Sequence, residues 1–400
     1  MNEDLDNFEP VAKIAVIGVG GAGNNAVNRM IDDNITNVSF YVANTDKQAL
    51  SLSKAPNRLI LGEELTNGLG AGGDPSVGAK AAEASIEDIK QIVEGCNMVF
   101  IAAGMGGGTG TGAAPIIAKA AKDAGALTIG IVTRPFTFEG TKKLALSVEG
   151  LNNLKANCDA LIVVSNDKLL MDAGNLPVGQ AFSESDKVLA QSVQTVTDLI
   201  LTPAIINLDF ADVRNTLKDS GIALIGFGTG EGENRSEDAA LSALNSPLIE
   251  QSIKGARKAI CHITCGPQVS LYECQDCVEH IVEQSGGRID LKFGVAINDQ
   301  LTDQIMVSII AGDFDTDIDF SRTEKLDSST LLRKEADKNI DNTPLLNYEK
   351  DGTDAENALE TNEETEGEVD PNATVEEPSE EETSTEDAME DIIPNFLNGK

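Results

Sequence analysis

Gly104-Met105-Gly106-Gly107-Gly108-Thr109-Gly110-Thr111-Gly112 is the stretch that decides the fold. It follows an apolar run, Met98-Val99-Phe100-Ile101-Ala102-Ala103, that fits a buried strand. It opens an alanine-rich segment, residues 113–124, that reads as a helix. Six glycines in nine residues suit backbone that must approach a ligand closely, because glycine lacks a Cβ and reaches positive φ freely. The unpaired N–H groups and dipole of the new helix form an anion site suited to phosphate, with Thr109 and Thr111 as hydroxyl donors. A flexible linker is the bland alternative, but linkers are seldom set between a buried strand and a strong helix.

Working back toward the N-terminus, Lys13–Ile17 reads as another buried strand. Gly18-Val19-Gly20-Gly21-Ala22-Gly23 follows it, and Asn24-Asn25 starts a helix. This GxGxxG turn alone suggests a dinucleotide-dependent oxidoreductase, and Asp46 stands about where a ribose-binding acid belongs. A dinucleotide fold uses one such turn, however, whereas here two can converge on one phosphate chain. A third glycine-rich stretch, Gly68 to Pro75 with Ala71 and Gly72, can close over its end. A nucleoside triphosphate fits better than NAD. The loop is not a Walker motif, since Gly73 to Gly78 is followed by Ala79 where that motif needs lysine.

Strands and helices alternate through this half, which predicts a doubly wound, mostly parallel α/β sheet with its ligand beyond the carboxyl ends of the strands. Phe182, Leu189, Val193, Val196 and Ile200 repeat at helical spacing between Pro177 and Pro203 and predict one long helix. A second, smaller α+β domain is expected beyond it, with strands at 222–227, 258–264, 289–297 and 304–311 and helices at 237–250 and 271–284. The boundaries expected are 11–176, 177–203 and 204–314, after a disordered 1–10. An acidic linker, 315–388, and a short apolar terminal segment, 389–400, complete the chain.

Several polar residues stand where chemistry is possible. Glu139 and Lys143, just after a strand, can hold ribose hydroxyls or form an ordinary solvated pair. Asp186, early in the long helix, can accept both the N1–H and the amine of guanine, a pattern adenine lacks. Phe182 can stack on a base or belong to the core. Asp209 and Asp212, three apart at a helix entry, read equally as a cap with first-turn acids.

The formal charge of −36 is uneven, with 17 acids and no Lys or Arg across residues 351–390. Such acidity argues against nucleic acid or an anionic membrane as a direct partner. No apolar run approaches the roughly 20 residues that span a bilayer. Residues 1–10 lack the features of a signal peptide, so a cytosolic protein is expected. The cysteines at 261, 265, 274 and 277, with His262 and His280, invite a zinc reading. They also alternate like a strand and share a helical face, so small core hydrophobes are the simpler reading.

The motifs GGAGNN (20–25), GGTGTG (107–112) and NLDFADV (207–213) together resemble the tubulin and bacterial cell-division GTPase superfamily. The resemblance implies a tubulin-like fold and a GTPase that assembles head to tail at the division site, with a GTP-binding scaffold that does not hydrolyse as the alternative. GTP with Mg2+ is implied on Gly20, Gly21, Ala22, Gly23, Asn24, Asn25, Ala71, Gly72, Gly104, Gly106, Gly107, Gly108, Thr109 and Gly110. Glu139 and Lys143 are implied at the ribose, the latter where the family usually has Arg. Asn25, Asn166, Phe182 and Asp186 are implied at the guanine, and Ser165 replaces the family's Pro. Asn207, Asp209 and Asp212 are implied to act on the next subunit's nucleotide. Residues 389–400 resemble the family's docking peptide for membrane-anchoring division proteins, with its basic residues nearly absent.

Overall fold

The computed structural model describes residues 12–315 apart from 174–176, 202–203 and 247–251. The expected N-terminal segment, acidic linker and docking peptide therefore lie outside the described residues, except for Asp315. The first half runs β1 (Ile14–Val19), α1 (Gly20–Asp32), β2 (Ser39–Asn44), α2 (Lys47–Ser51), β3 (Asn57–Ile60), α3 (Glu63–Thr66), α4 (Pro75–Ala84), α5 (Ile86–Val93), β4 (Met98–Gly104), α6 (Thr109–Asp123), β5 (Leu127–Arg134), α7 (Thr141–Lys155) and β6 (Ala160–Ser165). Then come α8 (Asn166–Ala173), α9 (Val178–Leu201), α10 (Phe210–Leu217), β7 (Gly221–Gly230), α11 (Arg235–Leu244), β8 (Ala256–Cys265), α12 (Leu271–Ser285), β9 (Asp290–Ile297) and β10 (Ile305–Phe314).

The strands form one ten-stranded sheet in the order β3-β2-β1-β4-β5-β6-β7-β10-β8-β9. Every pairing is parallel except those of β10 with β7 and β8. β1 and β5 are buried along their whole length, as a parallel sheet covered on both faces requires. Alternation sorts their side chains: Val16, Phe100, Ile129 and Ile162 pack toward α1 and α9. Ile17, Ile101, Leu161 and Val163 pack toward the helices of the other face. A third core joins Ala239, Ala243, Cys277 and Ile281 to Cys261, Ile263, Val307 and Ile309.

β7 belongs to both halves. Its first residues, Gly221 to Ala223, pair with Ala160 to Ile162 of β6, and the rest pairs with β10. The helix expected over 237–250 runs from Arg235 to Leu244 and is followed by a turn at Asn245, while 247–250 lie outside the described residues. α9 has Leu189, Val193 and Val196 fully buried along one stripe, and at 24 residues it is roughly 36 Å long. No helix among the described residues is long and apolar enough to cross a membrane.

Candidate functional site

The two glycine turns meet. Gly20 has φ +73, and a Cβ there would stand 2.9 Å from the backbone N of Gly110, so a side chain would force the loops apart. Gly108 is in turn packed by the third glycine stretch: a Cβ on it would come 2.8 Å from the Ala71 Cβ and 2.9 Å from the Asp74 N. A hydrogen bond of 2.7 Å between the Thr45 and Thr109 hydroxyls ties the end of β2 to the first residue of α6. Thr111 departs from expectation. Its hydroxyl accepts from the Gly106 N–H at 2.9 Å and is buried, so it closes the loop.

Above these turns, at the carboxyl ends of the strands, lies a cleft of about 350 Å3, within the roughly 300–1,000 Å3 of small-molecule sites. Its wall contains Gly20, Gly21, Ala22 and Asn25 from α1 and Gly104, Gly106, Gly107, Gly108, Thr109 and Gly110 from the second turn. Glu139, Lys143, Asn166, Phe182 and Asp186 join them on the wall. The N-termini of α1 and α6 both open into it, which gives two helix dipoles and a row of free N–H groups for phosphate oxygens. Gly23, Asn24, Ala71 and Gly72 are not on the wall. A Cβ at Gly23 would meet the Ala102 carbonyl at 2.2 Å, so this glycine lets α1 lie against β4. The Asn24 amide, oriented to satisfy its neighbours, donates to the carbonyls of Gly18 and Gly20 and accepts from Asn44, bracing the first turn from behind. Ala71 and Gly72 belong to the stretch that backs Gly108.

The far end of the cleft suits a base. Phe182 is 43 % exposed, which removes it from the core, and it meets Phe136 edge-on at 5.1 Å. Phe136 also stacks on Phe138. The Asn166 Oδ1 accepts from the Ser185 hydroxyl at 2.8 Å, fixing the amide. Burial pushes the Asp186 carboxyl up to about 6, against the pull of Arg29. One oxygen of Glu139 accepts from the Phe136 N–H and the other from the Lys143 ammonium, so this pair enters the cleft already oriented. Thr133, Pro135 and Ser185 also line it. Ser185 lies three residues beyond Phe182 in α9, so helical spacing from Phe182 reaches it.

Asn207, Asp209 and Asp212 are elsewhere. Asp209 caps α10, its Oδ1 accepting from the Asp212 N–H at 2.7 Å. The Arg214 guanidinium donates to the carbonyl of Gly125, two residues before β5 begins, whereas Thr133 at the other end of β5 lines the cleft. Eight strand residues separate these edges by roughly 25 Å. The distance along α9 agrees, with fifteen residues from Asp186 to Leu201 rising roughly 22 Å.

The four cysteines of the cluster pack into the third core and His262 is buried, whereas His280 is half-buried beside Asp276. Burial raises Cys261 and holds Cys274 and Cys277 at about 12, which disfavours the thiolates that zinc needs. Among the described residues no group of three His, Cys, Asp or Glu converges on a metal position.

Comparison with known proteins agrees with this geometry. Residues 13–174 match the Tubulin/FtsZ family GTPase domain, and residues 221–315 match the FtsZ family C-terminal domain. Among solved structures, an empty FtsZ dimer from M. jannaschii is 38 % identical, over 79 % of this chain and 93 % of that one, with a TM-score of 0.73. A GTPgS-bound CetZ2 protofilament from Haloferax volcanii shares the fold at 21 % identity and a TM-score of 0.65, covering 82 % of this chain and 99 % of that one. The dinucleotide oxidoreductase reading is thereby set aside, its single turn having proved to be half of a shared cradle. With both halves matched in order and one cleft formed from the glycine turns, the chain belongs to the FtsZ family of tubulin-like cytoskeletal GTPases.

Proposed function

We propose that the chain forms head-to-tail filaments whose GTP sits in the cleft of one protomer and is hydrolysed with help from Asp209 and Asp212 of the next. The observation that carries this is the placement of the cleft and the Asp pair on opposite edges of the sheet. No single copy joins them, but a translational stack does, and a contact of that kind continues into a filament. Large apolar side chains are exposed near both edges, Leu69 and Phe138 by the cleft and Ile205 beside Asn207, and stacking would cover them.

In this reading the helix N-termini of α1 and α6 hold the phosphates. Magnesium, when bound, would be held mainly by the nucleotide's own phosphates, with the Thr109 hydroxyl the side-chain donor at that end of the wall, because the wall carboxylates Glu139 and Asp186 are assigned to the sugar and base. A hard cation held mainly by substrate phosphates suits that donor set. Asn207, Asp209 and Asp212 of the next protomer align and polarise a water for in-line attack on the γ-phosphorus. Positioning and charge supply most of the acceleration. The bond from γ-phosphorus to the bridging oxygen breaks, and GDP and phosphate leave. Residues 389–400 would dock to a membrane-anchoring division protein, placing filaments on the inner face of the membrane at the septum.

The test is GTPase rate per subunit against protein concentration, with pelleting in parallel. A shared site predicts a rate that climbs steeply above a threshold and pelleted protein that appears at the same threshold. A rate per subunit independent of dilution removes the proposal.

Guanine selection adds a second expected result. The ionised Asp186 binds guanine, so GTP affinity should fall as pH drops through about 6, by up to about tenfold per unit. Stability moves the other way: the folded value lies above the unfolded one, so burying the carboxylate costs stability above pH 6, and that cost fades as pH falls toward 4. Asp186→Asn exchanges an acceptor for a donor. It should weaken GTP by at least roughly tenfold and favour xanthosine triphosphate, as read by competitive displacement of a fluorescent nucleotide.

A further inference from the structure

The loop that carries the Asp pair is strapped to the edge strand β9. Ile206 and Val295 form an antiparallel bridge, with the Val295 N–H donating to the Ile206 carbonyl at 3.0 Å and the Ile206 N–H returning to Val295 at 3.3 Å. Phe293 and Val295 pack into the third core, so Lys292 and Gly294 point to the other face by alternation. A Cβ on Gly294 would come 3.1 Å from the Ile206 carbonyl, which places that face against the loop. Lys292 thus stands beside the loop, its ammonium 3.8 Å from Asp212 Oδ1 with both side chains partly exposed.

The other nearby cations are engaged differently. Lys258 donates to the Asn215 carbonyl and pairs with Asp313, and Arg214 donates to the Gly125 carbonyl. Lys292 alone among the described residues makes an ion pair with Asp212. Two carboxylates advancing on a neighbour's triphosphate meet strong like-charge repulsion, least screened once the interface excludes water.

We propose that Lys292 is a positioning residue for hydrolysis, a built-in counter-ion that aims Asp212 and offsets the charge of the Asp pair against the next protomer's triphosphate. This role rests on the shared site proposed above. Its consequence concerns small ions. With a fixed ammonium in place, the assembled protein should need little monovalent cation at the interface. Without it, a small cation that can enter should substitute in part, and a bulky one should not.

The experiment compares the full chain with Lys292→Met, which keeps the stem and removes the charge, and with Lys292→Arg. Turnover per assembled subunit is measured in choline chloride and in potassium chloride at equal ionic strength, and GTP affinity is measured on dilute protein. Lys292→Met should bind GTP as the parent does and lose about tenfold in turnover in choline, equivalent to about 1.4 kcal/mol. Potassium should restore most of that loss, and Lys292→Arg should stay near the parent in both salts. Parental turnover of Lys292→Met in choline, a loss that potassium does not repair, or a matching loss of GTP affinity in dilute protein overturns the assignment. Asp212→Ala run in parallel separates the two claims. If it keeps full turnover, the shared site itself fails. If it is inactive while Lys292→Met behaves as the parent, only the role of Lys292 fails.

Discussion

Asp212→Ala is expected to bind GTP with parental affinity and to hydrolyse it roughly 10²–10⁴-fold more slowly, the usual worth of a positioned group acting on the attacking water. Asp212 is a cleaner target than Asp209 for a structural reason. Asp209 caps α10 by accepting from the backbone N–H of residue 212, so its removal also costs about 1 kcal/mol of helix stability. Alanine at 212 leaves that N–H and the cap in place. What it removes is one carboxylate and a partly exposed ion pair with Lys292, and such pairs contribute little to folding. The variant should therefore melt with the parent, bind nucleotide in its own cleft and still stack. Single-turnover hydrolysis in pelleted filaments is the measurement, and parental turnover would refute the shared site.

A mixing experiment sharpens the point. Asp212→Ala carries an intact cleft, whereas a variant damaged in the cleft carries an intact Asp pair. Neither hydrolyses alone, but random stacking of equal amounts makes about one interface in four from two intact halves. Activity recovered on mixing, and lost again on dilution, is an outcome that a site contained within one chain does not give.

The glycine turns were legible in the sequence because they express a local need. Backbone that must touch other backbone tolerates no Cβ, and Gly20, Gly108 and Gly110 advertise that by composition. The period of α9 was legible for the same local reason. What sequence could not show is where a polar group spends its hydrogen bonds. Thr111 looks as good a phosphate donor as Thr109 until the loop closes and its hydroxyl meets the Gly106 N–H. Asn24 and Asn25 are adjacent, yet one braces the turn and the other lines the cleft. The pairing of Ser185 with Asn166 and of Lys292 with Asp212 joins residues from different elements, with no local pattern to announce it.

Two neighbouring kinds of glycine should separate binding from folding. A Cβ at Gly107 would meet nothing within 4 Å, so the only thing Gly107→Ala crowds is whatever occupies the cleft that it lines. The fold and its melting temperature should be unchanged. The methyl group takes space from the phosphates, and if it costs the usual 1–3 kcal/mol of overpacking, GTP affinity falls roughly five- to 150-fold. Gly23→Ala inverts the pattern. Its Cβ would press on the Ala102 carbonyl at 2.2 Å, and that carbonyl belongs to β4, held between β1 and β5. Neither helix nor strand can yield by the ångström required without breaking contacts in the largest core, so the cost should reach the upper end of that range or beyond. Thermal unfolding with and without GTP reads both. Gly107→Ala should melt like the parent without nucleotide and gain less from it, whereas Gly23→Ala should melt several degrees lower in either condition. A Gly107→Ala protein that binds GTP at full strength would mean that the phosphates do not lie on this loop.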